Sequence, residues 1–375
     1  MSLMKSTKTY FALLCCLGLF ALPAQAIVTC SQTVAPAVPF GNPPSTEASQ
    51  IARLLAGMDM RNVSPDPMHG QYVTAVNDGW QAFMQNLGNP LHAWASREVP
   101  RGAGQTVFYP FSGPDLPSVL AIYPAATHFV MISDQYATRY FDPFALNEPD
   151  QTRVVQALGE SWTRFGRLGF FLTQDLNKNG GQKYHLSPSM ILMAFAVRLG
   201  YEVRSVRPTC LDPSNLTIRT LDAKDARWGS VRLELRKDGR DIVVDYLQQD
   251  LSDRGLAKRP EVRGLIDSIT RGPVLMKAAS HLPQKPGFSI LRNAILTYSP
   301  LVVQDETGLE YDAMANRFNV QLYGVYVGAY RLFKEDTNPS LVKAYRNRAQ
   351  DVRPLDFRLG YEKEAGSAIQ VATRK

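Results

Sequence analysis

Phe108-Tyr109-Pro110-Phe111-Ser112-Gly113-Pro114-Asp115 is the stretch around which the chain is organised. It holds three aromatics, two prolines and a glycine, and it sets a hydroxyl and a carboxylate three residues apart. Prolines fix φ and the glycine opens the left-handed region, so a loop of this composition takes one backbone shape. An apolar approach at 105–109 reads as a strand that leaves into this loop. Asp115 stands at the N-cap position of a short helix over 118–123. Rigid loops at strand exits are where binding or chemistry is mounted.

Outward from there, the helical period marks helices at 46–58, 71–87 and 91–97 before the loop, and at 150–168 and 189–199 after it. Ser187-Pro188 starts the last of these, which is apolar nearly all round and so central to the fold. Residues 228–236 and 241–247 alternate cleanly about Lys237-Asp238-Gly239-Arg240, the clearest hairpin signal in the chain. Further strands are expected at 127–132, 170–173, 201–206, 318–326, 357–361 and 369–372, and helices at 260–270, 289–298 and 341–348. Helices and strands mix without regular alternation. The expectation is therefore a single α+β domain over 45–375, with a mostly antiparallel sheet flanked by helices and not a doubly wound one.

The amino terminus stands apart from that core. Lys5 and Lys8, an apolar run from Phe11 to Leu22 and Ala24-Gln25-Ala26 have the layout of a secretory signal peptide over 1–26, too short to span a bilayer. Residues 27–44, with Pro36, Pro39, Pro43 and Pro44, read as an extended leader. Two lysines and no acids leave with the signal, so the net charge falls from +7 to +5. That excess is spread out and gives no nucleic-acid footprint. Cys15 and Cys16 also leave, and Cys30 and Cys210 remain in an oxidising compartment, where they are expected to pair. A bridge over that separation is worth about 5 kcal/mol on loop entropy. Export to the periplasm or beyond, with no span after signal removal, is the expected location.

Several segments together resemble an uncharacterised family of bacterial exported proteins and lipoproteins: FYPFSGPD at 108–115, FFLTQDL at 170–176, LMKAASHL at 275–282, FSILRNAIL at 288–296, VVQDETG at 302–308 and LYGVY at 322–326. The resemblance implies an envelope location and one co-folded unit. It implies no activity.

The candidate chemistry starts from Lys277, a cation in the apolar run 274–279 with no acid within nine residues. A buried ammonium must find a carboxylate. Asp115 and Asp305, each at the end of an apolar strand, are the candidates. With Ser112 beside it, Lys277 would make a serine–lysine nucleophile of the kind some hydrolases use. Gln304 adjoins Asp305. His281, four residues after Lys277, would share a helix face with it and serve as acid or base. The structural alternative is a turn whose Asp115 caps a helix, with a Lys277–Asp305 pair fixing register. Phe108, Tyr109 and Phe111, with Tyr323, Tyr326 and Tyr330, would line a groove or pack a core. Asp175-x-Asn177-x-Asn179-Gly180 is the first half of a calcium loop, but Leu186 stands where the bidentate glutamate belongs. His69, His92, His128, His185 and His281 lack metal-ligand spacing, and no phosphate-cradling loop is present, so no cofactor or metal is expected. Hydrolase-like chemistry at the Ser/Lys/Asp cluster and non-catalytic binding of an envelope or extracellular ligand in the same cleft are the two functional expectations.

Overall fold

The computed structural model describes residues 27–30, 45–58, 67–101, 106–135, 137–169, 187–222, 228–361 and 366–375. The signal sequence, most of the leader, the strand expected at 170–173 and the calcium-like loop lie outside the described residues.

Ten strands form one sheet: β1 (Thr106–Pro110), β2 (His128–Ser133), β3 (Glu202–Asp212), β4 (Thr217–Thr220), β5 (Val231–Lys237), β6 (Arg240–Gln248), β7 (Val274–Met276), β8 (Leu301–Asp305), β9 (Phe318–Gly324) and β10 (Ala368–Arg374). Their order is β4-β3-β5-β6-β2-β1-β7-β8-β10-β9. The α+β class with helices about one sheet stands. The mostly antiparallel sheet does not: the middle five strands, β6-β2-β1-β7-β8, are parallel, and antiparallel pairing is confined to the two wings. The cause is physical. Strands buried on both faces carry no alternation to read. The long insertion between β2 and β6 also hides the strand–helix–strand spacing. The hairpin β5–β6, by contrast, turns at Asp238 and Gly239 with φ of 50° and 76°, as its sequence demands.

Successive side chains alternate between two cores. Val107, Tyr109, Phe129, Met131, Leu275 and Val303 face one core, with α1 (Thr46–Leu55), α2 (Pro67–Phe83), α3 (Asn89–Glu98), α4 (Leu116–Ile122), α5 (Glu148–Leu168) and α6 (Pro188–Arg198). Phe108, Val130, Ile132, Val274, Met276 and Val302 face the other. There they meet α7 (Asp253–Ala257), α8 (Pro260–Ile269), α9 (Ser289–Tyr298), α10 (Tyr311–Ala315) and α11 (Pro339–Asn347). Helix α6 is buried along ten of its residues, as its all-round apolarity requires.

The chain leaves β1 toward β2 on one side and leaves β7 toward β8 on the other. The winding direction therefore reverses between β1 and β7. Cys30 and Cys210 are bonded, with Cα atoms 5.1 Å apart, and tie residues 27–30 to β3. Among the described residues, no helix is long and apolar enough to cross a membrane.

Candidate functional site

The loop after β1 runs to α4 in the first core, while the chain after β7 runs to α9 in the second. Two connections that diverge to opposite faces mark the point, outside the carboxyl ends of the strands, where ligands bind in sheets wound this way. Residues 111–115 and 277–281 border it.

Lys277 follows β7 directly and is 2% exposed. Its Nζ donates to Asp115 Oδ2 at 2.8 Å, to Ser118 Oγ at 2.8 Å and to the Gly169 carbonyl at 3.2 Å. These three bonds use every proton of the ammonium. The lysine thus fastens the β1 loop, the first turn of α4 and the end of α5 together. Asp115 Oδ2 also accepts from Tyr109 Oη at 2.9 Å. Burial and then the charge of Asp115 push the Tyr109 phenol well above its ordinary pKa. Asp115 sits at the N-cap of α4 as expected, yet its side chain makes no cap bond. A buried ammonium is the stronger claimant on that carboxylate.

Asp305 does not pair with Lys277. Its Oδ2 accepts from the Ala278 amide at 2.7 Å, and its Oδ1 accepts from the Thr307 amide at 2.9 Å and hydroxyl at 2.5 Å. Thr307 Oγ1 in turn accepts from the Ala279 amide at 2.7 Å. Asp305 therefore staples the exits of β7 and β8. Burial raises its pKa, against these bonds and the attraction of Lys277. At Gly360, with φ +81°, a Cβ would lie 2.5 Å from Asp305 Oδ2, so only glycine closes that side. Gln304 points the other way. Its amide clasps Leu309 through both N–H and C=O, at 2.8 and 2.9 Å, and closes the loop after β8.

His281 does not share a helix face with Lys277, because residues 277–281 form no helix. Ala278, Ser280 and His281 take φ of 53°, 52° and 56°. Three non-glycine residues in that region cost about 1 kcal/mol or more each, and such strain gathers at functional sites. The turn sends the imidazole under Phe333, with centroids 5.4 Å apart, and burial lowers its pKa. The acid–base role expected for it has no geometry here.

Ser112 lies at the β1 exit, its amide on the Ile132 carbonyl at 3.1 Å and its buried Oγ without a partner. The serine that meets Lys277 is Ser118. Only its place three residues after Asp115, one helical turn on, hinted at that. Tyr361 was also missed; its Oη donates to the Ala278 carbonyl at 2.8 Å and reaches Ser280 Oγ at 3.1 Å. The aromatic groove is not formed. Phe108, Tyr109, Tyr323 and Tyr326 are buried in the two cores, and Tyr330 stacks on Tyr361.

What remains open is specific. Asp115 Oδ1 and Ser112 Oγ, both buried, have no hydrogen-bond partner. Gly113, with φ +52°, has no atom within 4 Å of where a Cβ would stand. The arrangement offers two acceptors of the β1 loop to any donor that reaches them. Comparison with known proteins returned no matching family model, no matching curated protein and no matching solved structure.

Proposed function

We propose that this chain is an exported small-molecule-binding protein whose site is the crevice outside the carboxyl ends of β1, β2 and β7. The reversal of winding between β1 and β7 carries this reading, because the rigid 111–115 loop and the strained 277–281 turn flank that point. The Cys30–Cys210 bond and the signal-like residues 1–26 support export. The resemblance to exported bacterial proteins supports the same location.

Hydrolase-like chemistry at the Ser/Lys/Asp cluster is the second reading. The 2.8 Å contact of Lys277 with Ser118 favours it. Ser118 is fully buried, however, so no substrate reaches its hydroxyl, and Lys277 is engaged by Asp115. Binding is therefore the better-supported function.

The test combines thermal denaturation of the purified protein against a panel of water-soluble metabolites with hydrogen exchange on any compound that stabilises it. A ligand present at about one hundred times its dissociation constant adds about 2.7 kcal/mol. The expected result is protection of amides at 111–115 and 277–281, retained in Ser118→Ala. Protection elsewhere overturns the site. Turnover of ester or amide substrates that is lost in Ser118→Ala puts the hydrolytic reading in its place.

A further inference from the structure

At the amino ends of β2, β6 and β7, the turns that feed the strands meet the end of α3 and enclose a cavity of about 360 Å³. Its floor is apolar and buried. Ala95 and Val99 come from the end of α3, Ile122 and Tyr123 from the end of α4, and Ala126 and Pro273 from the turns. Pro100, Pro124 and Pro273 fix the backbone at three points of the wall, so the chain itself sets the shape of the space.

Four of the lining side chains can form hydrogen bonds: Ser96, Tyr123, Arg101 and Arg240. The Ser96 hydroxyl donates to the His92 carbonyl at 2.8 Å, and the Tyr123 hydroxyl donates to the Val274 carbonyl at 3.2 Å. Both protons are spent. Half-buried Arg240 donates from Nη1 to the Pro124 carbonyl and from Nη2 to the Ala126 carbonyl, at 2.5 Å each. Those bonds fix the guanidinium against the wall and leave its Nε and one N–H of each Nη over. Exposed Arg101 makes one long contact, 3.4 Å to the Ser96 carbonyl. Among the described residues, no carboxylate lines the cavity and neither arginine stands in an ion pair. Glu98, the nearest acid along the chain, is turned away to Tyr323 and Arg353.

The free side-chain donors of this cavity are therefore two guanidiniums beside an apolar floor. A polyol would bury hydroxyls against Val99, Ile122 and Pro273 with nothing to bond. A cation would meet two like charges. What fits is an apolar body that ends in an anionic acceptor. A carboxylate presents two oxygens in one plane, the shape a guanidinium matches with parallel bonds. Small-molecule sites run from about 300 to 1,000 Å³, and this one falls near the lower end, so the body is a single ring or a short acyl chain.

We propose that this cavity is a second binding site and that it takes a small apolar carboxylate of the arylalkanoate kind. The ring lies over Val99, Ile122 and Pro273, the carboxylate meets Arg240, and Arg101 adds its charge at the mouth. This site is separate from the one at the carboxyl edge and does not rest on it.

Calorimetric titration of the full chain with phenylpropionate, phenylpropionamide, phenethylamine and acetate tests it. Phenylpropionate is expected to bind, and the other three at least tenfold more weakly. The amide lacks the charge, the amine reverses it, and acetate lacks the ring. Hydrogen exchange with phenylpropionate bound should show protection at 95–101 and 122–126. Arg240→Gln should weaken phenylpropionate at least tenfold, but it also frees two carbonyls. Ala125→Trp is the second variant. Ala125 is exposed at the mouth, so the indole should block phenylpropionate and leave the melting temperature of the unliganded protein unchanged. Aryl acids are kept out of the metabolite panel that tests the carboxyl edge, so either site can fail without the other. Equal binding of acid and amide, no binding of phenylpropionate at millimolar concentration, protection confined to other segments, or full affinity in Ala125→Trp overturns the proposal.

Discussion

Toward the amino edge of the parallel strands, Asp245 is closed on every side. Arg232 donates to it from Nε at 2.7 Å and from Nη2 at 2.8 Å, and His128 Nε2 reaches it at 2.8 Å. Burial alone would raise its pKa, but Arg232 and His128 outweigh that and hold the carboxyl below its ordinary value. At the carboxyl edge, Asp115 meets Lys277 with one oxygen and leaves the other bare, and Asp305 is held above its ordinary value. A cavity of about 560 Å³ opens at the amino edge, lined by Thr106, His128, Arg232 and Arg271 among others. Its buried carboxylate, however, has nothing left to offer. Room alone does not make a site; it needs polar groups left free to use. The amino edge pairs its buried carboxylate in full, while the carboxyl edge keeps two unpartnered acceptors and a strained turn.

The largest effect should come from breaking the carboxyl-edge pair. Lys277→Met strands Asp115 in the core and loosens three segments at once, for a loss of about 3–5 kcal/mol in urea denaturation. Arg232→Met leaves Asp245 its contact with His128, so the loss there should be about 1.5–3 kcal/mol. Adding Asp115→Asn to Lys277→Met should restore part of the loss, because the stranded charge is gone. Equal losses at Lys277 and Arg232, with no recovery in the double variant, would erase the distinction between the two edges.

The residues differ in how far the chain alone discloses them. Lys277 stands out because a lone cation in an apolar run has few ways to be buried. Its partner does not, since Asp115 and Asp305 both end apolar strands and only tertiary packing separates them. Asp115 reads as a helix cap because the local pattern for a cap is the same whether or not a buried ammonium arrives to claim the carboxylate. Ser118 is silent for a related reason: a serine in a first helical turn is ordinary until something 159 residues away reaches it. Cys30 and Cys210 pair by elimination, and the β5–β6 hairpin follows from Asp238-Gly239. The parallel middle carries no such mark. Its strands are short, buried on both faces and separated by more than a hundred residues between β2 and β6, so their neighbours are chosen by the core and not by adjacent turns.

Titration separates the edges with opposite signs. The folded pKa of Asp245 lies below the ordinary value of about 3.9, so its stabilisation is complete above about pH 4 and is lost as pH falls through the folded value. The folded pKa of Asp305 lies above the ordinary value, so the native state holds that proton more tightly than the unfolded chain does. Stability from this group is greatest below about pH 4, declines as pH rises toward the folded pKa, and is flat beyond it. Each unit of displacement is worth about 1.4 kcal/mol. Asp245→Asn should therefore flatten the acid limb of the stability profile, and Asp305→Asn should remove the decline above about pH 4. Denaturation midpoints measured across the acid range read both. The same limb flattened by both variants would show that the two carboxylates share one environment.

The smallest effect sharpens the contrast within the carboxyl edge itself, between a glycine that borders open space and one that walls in a carboxylate. Gly360→Ala drives a methyl to 2.5 Å from Asp305 Oδ2 at φ +81°, so backbone strain and a clash add. Gly113→Ala meets no atom within 4 Å at φ +52°, so strain acts alone, at about 1 kcal/mol. Thermal denaturation should rank the two variants in that order. The methyl at 113 would also enter the space proposed for the ligand, so ligand affinity should fall by more than the small stability change accounts for. If Gly113→Ala destabilises as much as Gly360→Ala, the space beside Gly113 is filled in solution. The open side of the carboxyl edge, on which its difference from the amino edge depends, would then be lost.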